Sequence, residues 1–252
     1  MPESVSLCIP LHRSAAFLPE LFARLRALNP VPSEILFLDD ASEDDSAALV
    51  RRFIEAAALA SEVRLLVNTA NAGIAGAYNR MAREATGDWV HILDADDYPE
   101  EADFYARVKT ALQPRYDIVV TALTSNARLL NRGSSALSRI VPREPPLWWP
   151  LLGSFATRSG VLYRRASLVA EAFPDPAYPG SDIVQLLRMR QGRGCAFLKS
   201  AHVYYRVHTS ATSSGRRDYA QYRVALGGFG IGTRWAHRLD LALRVAGQRV
   251  AR

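Results

Sequence analysis

Trp89-Val90-His91-Ile92-Leu93-Asp94-Ala95-Asp96-Asp97 is the stretch on which the fold turns. An apolar run ends on three carboxylates, with Tyr98-Pro99 immediately behind them. A buried strand has to stop there, because Asp is rarely buried unpaired and Pro cannot continue a ladder. Such a strand delivers acidic side chains to the rim of a sheet, where open α/β sheets bind their ligands. Carboxylate oxygens at that rim suit a hard divalent cation, Mn²⁺ or Mg²⁺, of the kind that shares its coordination with substrate phosphates. The plainer alternative is an acidic loop that caps the next helix, since Glu100-Glu101 also favour a helix N-terminus.

On either side of this stretch, short apolar segments alternate with amphipathic ones. That alternation is the signature of a doubly wound, mostly parallel α/β sheet with helices on both faces. Strands are expected at residues 5–9, 34–38, 63–67, 88–93 and 117–123, and helices at 15–28, 44–60, 74–85 and 100–112. The second strand runs into Asp39-Asp40, and the third into Asn68-Thr69-Ala70-Asn71-Ala72-Gly73. Residues 125–158, rich in Pro, Arg and Trp, lose the periodicity and read as a long excursion or lid, a length that is usually functional or mobile. A strand at 159–163, a helix at 181–190 and short strands at 196–199 and 202–205 follow.

At 252 residues the chain can bury a full core, and its 49% hydrophobic and 22% charged content is ordinary for a globular protein. The net charge of +6 comes from residues 216–252, which hold eight arginines and two aspartates; residues 1–215 sum to zero. A neutral body argues against nucleic acid as a partner, since that would require a basic face. Cys8 and Cys195 both fall in expected strands and read as buried small hydrophobes rather than a disulfide. With no secretory leader and no bilayer-length apolar run, a cytoplasmic location is expected.

The ordered motifs resemble those of the family 2 glycosyltransferases, which have a GT-A fold. The resemblance runs from Cys8 to about Ser214 through Ile9-Pro10, Leu38-Asp39-Asp40-Ala41-Ser42, Asn71-Ala72-Gly73 with Asn79, Leu93-Asp94-Ala95-Asp96-Asp97, Gly180-Ser181-Asp182 and Tyr205-Arg206-Val207-His208. It implies a catalytic domain over 1–215, with a nucleotide-sugar-binding half at 1–123 and an acceptor-side half at 124–215, followed by a basic helical tail at 216–252.

The resemblance also implies roles. Asp40 reads the nucleotide base, in a pocket packed by Pro10 and His12; the usual Asn after that position is here Arg13. From the residues alone, Asp39 or Asp40 can equally cap the helix that begins near Asp44. Asn71 and Gly73 precede a helix and offer amides to a phosphate or a sugar edge, or form a plain turn and cap. Asn79 is a site candidate through the resemblance. Asp94 and Asp96 alternate and would face the same side if extended. The resemblance has Asp96 bind the metal ion and Asp94 help hold the ribose, while Asp97 points away and orients the loop. His208 completes the metal site or is structural. Asp182 is the general base or a simple N-cap; the usual acidic dyad is here Ser181-Asp182. Arg188, two turns on, pairs with the diphosphate or with Asp182.

The expected activity is therefore metal-dependent, inverting transfer from a nucleoside-diphosphate sugar, UDP-sugar favoured, to a hydroxyl of a saccharide or lipid-linked saccharide, in bacterial envelope or exopolysaccharide assembly. No nucleophile motif of the G-x-S-x-G kind is present. Trp148-Trp149 offers an acceptor surface or packs on the body. From Arg234 a helix would set Trp235, Leu239, Leu243, Ala246 and Val250 opposite Arg234, His237, Arg238, Arg244, Arg249 and Arg252. Such a helix lies on an anionic membrane or docks on the body. A sugar nucleotidyltransferase is disfavoured, because Pro10-Leu11-His12-Arg13 has no glycine; a non-catalytic binding or scaffold subunit is the other alternative.

Overall fold

A computed structural model of the chain describes residues 3–56, 59–127, 139–145, 158–174, 177, 181–189 and 194–208. Trp148-Trp149 and most of the excursion around them, Tyr178-Pro179-Gly180, and the tail at 216–252 lie outside the described residues.

Eight strands form one sheet: β1 Val5–Leu11, β2 Glu34–Asp39, β3 Glu62–Val67, β4 Trp89–Ile92, β5 Tyr98–Pro99, β6 Tyr116–Ser125, β7 Val161–Arg164 and β8 Gly194–Tyr205. The helices are α1 Leu18–Ala27, α2 Ser46–Ala56, α3 Gly73–Glu84, α4 Phe104–Lys109, α5 Arg165–Ala170 and α6 Ser181–Met189. Strand order is β3-β2-β1-β4-β7-β6-β8-β5. The left half, β3-β2-β1-β4, is parallel throughout, and β6 and β8 are parallel to each other. β7 runs antiparallel between β4 and β6, and β5 antiparallel along β8.

Alternate residues of each strand feed two cores. Leu7, Ile9, Ile35, Phe37, Trp89 and Leu162 pack with Leu21, Phe22, Phe53 and Phe104 on one face. Cys8, Leu36, Leu38, Val90, Ile92, Val161 and Tyr163 pack with Tyr78, Met81 and Leu186 on the other. This period-two burial on both faces is why the strands read as nearly continuous apolar runs. Both cysteines are buried thiols, as expected.

Pro10 sits inside β1 for a traceable reason. Leu11 offers its carbonyl to Asp40 N–H on the β2 side, so the backbone of Pro10 faces the β4 side. There β4 pairs only as far as Cys8, and no ladder donor is missed.

Several expected elements differ. The two short strands at 196–199 and 202–205 are one strand, β8, with a register shift opposite Thr121/Ala122. Tyr98-Pro99 does not end the pairing: it forms β5 at the sheet edge, where Pro is tolerated, opposite Tyr204 and Val203. The helix expected at 100–112 begins only at Phe104, and α5 was not anticipated.

Candidate active site

The C-terminal ends of β1, β2, β3 and β4 lie side by side, and the order turns at β1, from which the chain departs to both sides. That is the crevice position of open α/β sheets. The antiparallel strands add to the same rim. Because β7 pairs Trp89 with Arg164 and His91 with Leu162, its entry turn at Arg158–Gly160 lies beside the end of β4. Because β8 is parallel to β6, its exit delivers residues 206–208 to the same edge.

At the left of this rim three loops meet on Asp40. The buried Asp40 accepts at Oδ1 from the Asn68 amide and from Ala72 N–H (2.8 Å), while its own carbonyl contacts His12 Nδ1 at 3.1 Å. Its second oxygen has no donor among the described residues. Asn71 Oδ1 accepts from Gly73 N–H (2.7 Å), and its amide nitrogen stands 3.3 Å from His12 Nδ1. Asn71 thus makes the turn into α3, and Gly73, at φ 74°, takes a conformation that favours glycine. The helix-cap alternative for Asp39-Asp40 does not hold: Asp44 Oδ1 takes the N–H of Ser46 at 3.1 Å and caps α2. Arg13, where an Asn is usual, pairs with Glu43 at 2.6 Å on the exposed lip.

The three carboxylates after β4 do not stay extended. Asp97 N–H donates to Asp94 O at 3.0 Å, so residues 94–97 form a turn and each carboxylate takes its own direction. Asp94 accepts the Tyr78 hydroxyl at 2.7 Å and lies 3.8 Å from the Arg158 guanidinium. Asp96 Oδ2 is 2.7 Å from His208 Nε2. Asp97 is buried and accepts the Arg206 N–H at 2.9 Å. Burial, then the neighbouring charge of Asp96, drives the Asp97 carboxyl well above the usual carboxylate range. Burial also raises Asp94, opposed by Arg158.

The expected metal ligands come together as one oxygen and one nitrogen. Neighbouring ligands of an octahedral ion at about 2.1 Å stand about 3 Å apart, close to the observed pair. No group of three or more His, Cys, Asp or Glu capable of holding an ion occurs among the described residues. Two such groups would leave most positions of a Mg²⁺- or Mn²⁺-type ion to substrate oxygens and water.

Asp182 lies in the first turn of α6, half-buried, and its charge acts on Asp94, Arg158 and Tyr163. Arg188 is exposed six residues further on, which puts it on another side of the helix, and it makes no ion pair with Asp182. Asn79 sits apart from the carboxylates in role: its amide clamps the Phe173 backbone, donating to the carbonyl at 3.0 Å and accepting the N–H at 2.8 Å.

Sequence reasoning missed Tyr78, Arg158, Tyr163 and the support beneath the acidic turn. Ser159 Oγ accepts the Asp94 N–H (3.1 Å), and Ser159 O is 2.7 Å from His91 Nε2, whose Nδ1 meets the Tyr105 hydroxyl at 2.9 Å. A carbonyl can only accept, so His91 carries its proton on Nε2 and accepts from Tyr105. Arg206 is the other support: Nε donates to Asp96 O at 3.0 Å and Nη2 to Glu20 of α1.

A family model described as "Glycosyl transferase family 2" matches residues 6–170. Undecaprenyl-phosphate 4-deoxy-4-formamido-L-arabinose transferase of Sodalis glossinidius is 34% identical over 122 residues, 47% of this chain and 36% of its own length. Dolichol-phosphate mannosyltransferase of Pyrococcus furiosus is 28% identical over 173 residues, 63% of this chain and 47% of its own length. The chain thus spans about a third to a half of the length of these curated relatives. Among solved structures, S. aureus TarS 1–349 in complex with UDP-GlcNAc has a TM-score of 0.70 at 17% identity, covering 88% of this chain and 64% of that one. The mannosyltransferase PcManGT of Pyrobaculum calidifontis, in complex with GDP-Man and Mn²⁺, has a TM-score of 0.66 at 18% identity, covering 100% and 76%. At these identities the likeness is one of fold, and the fold is the GT-A type expected from the sequence.

Proposed function

Since this chain belongs to glycosyl transferase family 2, we propose that it moves a glycosyl group from a nucleoside-diphosphate sugar to an acceptor hydroxyl with inversion. The observation that carries this reading is that the strand ends bring the Asp40 pocket and the Asp96–His208 pair to one rim, where the charge of Asp182 also acts on Asp94. Asp40, His12 and the Asn71–Gly73 turn border the space for the base and ribose. Asp96 and His208 would hold a divalent ion, which when bound offsets charge on the leaving diphosphate. PcManGT was solved with Mn²⁺, which supports that choice of ion.

In this reading the acceptor oxygen attacks the anomeric carbon from the face opposite the diphosphate. The new C–O bond forms as the bond to the diphosphate breaks, and Asp182 takes the acceptor's proton. Asp94 is held by Tyr78, Arg158 and Ser159, so one wall of the site is fixed before substrate arrives. UDP is favoured as the nucleotide, and envelope polysaccharide as the pathway class. The basic segment 216–252 is proposed to rest on anionic membrane and bring the site to a lipid-linked acceptor. Among the described residues no helix is long and apolar enough to cross a membrane.

A second reading has its own support, since the relatives above carry a polyprenyl phosphate in their names. A phosphate acceptor is already ionised and needs no base. Asp182→Asn separates the two: on a hydroxyl acceptor transfer should fall at least about 100-fold with nucleotide-sugar binding retained, whereas transfer to a lipid phosphate would survive. Melting curves with UDP or GDP, each with and without Mn²⁺, test the shared premise. A shift that needs both metal and nucleotide is expected; no shift with any combination would sink the enzyme reading.

A further inference from the structure

Two buried hydrogen-bond donors of this site have nothing to donate to among the described residues. Tyr163, in β7, is fully buried, yet its phenol has no partner among the described residues. Arg158 is 25% exposed at the side chain, but its Nε is buried and equally without an acceptor. Folded proteins pair nearly all such groups, and an orphan lowers stability. A phenylalanine at 163 would fill the same space without that penalty, so the hydroxyl calls for an explanation.

Both orphans belong to one neighbourhood. The charges of Asp182, Arg158 and Asp94 all act on the Tyr163 phenol, and those of Asp94 and Asp182 both act on Arg158. The guanidinium is held from other directions, by Asp94 at 3.8 Å and by the Tyr78 ring, whose centroid is 5.2 Å from Cζ. Phe173 packs against both tyrosines, with centroids 5.2 Å from Tyr78 and 5.8 Å from Tyr163, and the Asn79 clamp fixes its backbone. Asn79 therefore contributes here through Phe173. The result is one packed group, Asp94, Arg158, Tyr78, Phe173 and Tyr163, that carries two donors unsatisfied among the described residues.

We propose that Arg158 Nε and the Tyr163 phenol donate to hydroxyl oxygens of the glycosyl ring and so select which sugar the enzyme carries. This rests on the donor-site reading above, which places the ring between the diphosphate near Asp96 and the base Asp182. The ligand chemistry is that of a neutral polyol. The Arg158 cation is already balanced by Asp94, and a hydroxyl can accept from either orphan while donating to a carboxylate. A site built to bond a hydroxyl strongly rejects an analogue that lacks it.

The test uses the full chain with Mn²⁺, and calorimetric titration with UDP, UDP-GlcNAc, GDP and GDP-mannose as probes. For Tyr163→Phe, the melting temperature should hold or rise while affinity for the accepted nucleotide sugar falls about tenfold. Affinity for the bare nucleoside diphosphate should stay within about twofold of wild type. Arg158→Lys keeps the charge but not the fixed fork of donors, and should show the same selective loss. If both variants bind nucleotide sugar as tightly as wild type, the two groups only pack and the proposal fails. If wild type binds none of the four probes, the donor-site reading falls and takes this one with it, a pattern distinct from the first.

Discussion

His91 and His202 illustrate how differently one residue type behaves at two places in this fold. His91 is fully buried between the Ser159 carbonyl and Tyr105, and burial pushes it down to about 4. The unfolded chain takes up a proton near 6.5 that the folded chain refuses, so this group's stabilisation is lost as pH falls from about 6.5 towards 4, by about 3 kcal/mol. His202 is the reverse: its hydrogen bond to Glu101 raises it above 6.5. Its contribution is complete below 6.5 and is lost as pH rises through the raised value, and at a side chain 34% exposed it is worth less than about 1 kcal/mol. Ring resonances followed by NMR should show His91 neutral, protonated on Nε2, down to pH 5, with His202 titrating above pH 6.5. A His91 that titrates near 6.5 would mean that the support under Asp94 is not formed. At this scale the sequence was legible in part. Three carboxylates ending an apolar run mark the end of β4 and the rim of the sheet, but the turn at 94–97 decides where each points, and a turn bond carries no periodicity. Arg158 gave no signal, because it closes a stretch without any pattern.

Among the elements, the exit of β8 is the one that ties most together. Tyr204 stacks on Tyr98 of β5 with centroids 4.7 Å apart, and Arg24 of α1 covers Tyr98 with Cζ at 4.2 Å from the centroid. Arg206 then bonds Asp96, Asp97 and Glu20, and His208 reaches Asp96 with its ring 5.1 Å from Phe17. Replacing Arg206 by Ala removes the guanidinium bonds to Asp96 O and Glu20 but leaves the backbone bond to Asp97. Weaker Mn²⁺-dependent nucleotide binding, by about tenfold, is expected in calorimetry, with a stability loss of about 1–2 kcal/mol. Unchanged binding would show that the strap does not set the Asp96–His208 geometry. Helices and strands with several buried residues were readable from their period, within a few residues at each end. β5 was not, since two residues containing a proline have no period to read. Its pairing with β8 depends on a partner a hundred residues away.

At the scale of the molecule, the two cores share every central strand, so neither layer has an independent hydrophobic interior. The doubly wound plan was readable because that double burial writes apolar runs into the sequence. The antiparallel insertion of β7 was not, since strand direction leaves no mark on composition. That insertion has a consequence for synthesis. The strand Trp89–Ile92 finds its second neighbour only about seventy residues later, at Val161–Arg164. On a ribosome adding about 5–20 residues per second, the Trp89 strand emerges with one open edge for several seconds. Fragments ending between residues 124 and 158 should therefore collect in the insoluble fraction on expression, and a fragment of this kind recovered as a soluble monomer would contradict the expectation. During translation the nascent chain is a natural client for chaperones that shield exposed strands, and the speed at which codons between β4 and β7 are read becomes part of its yield.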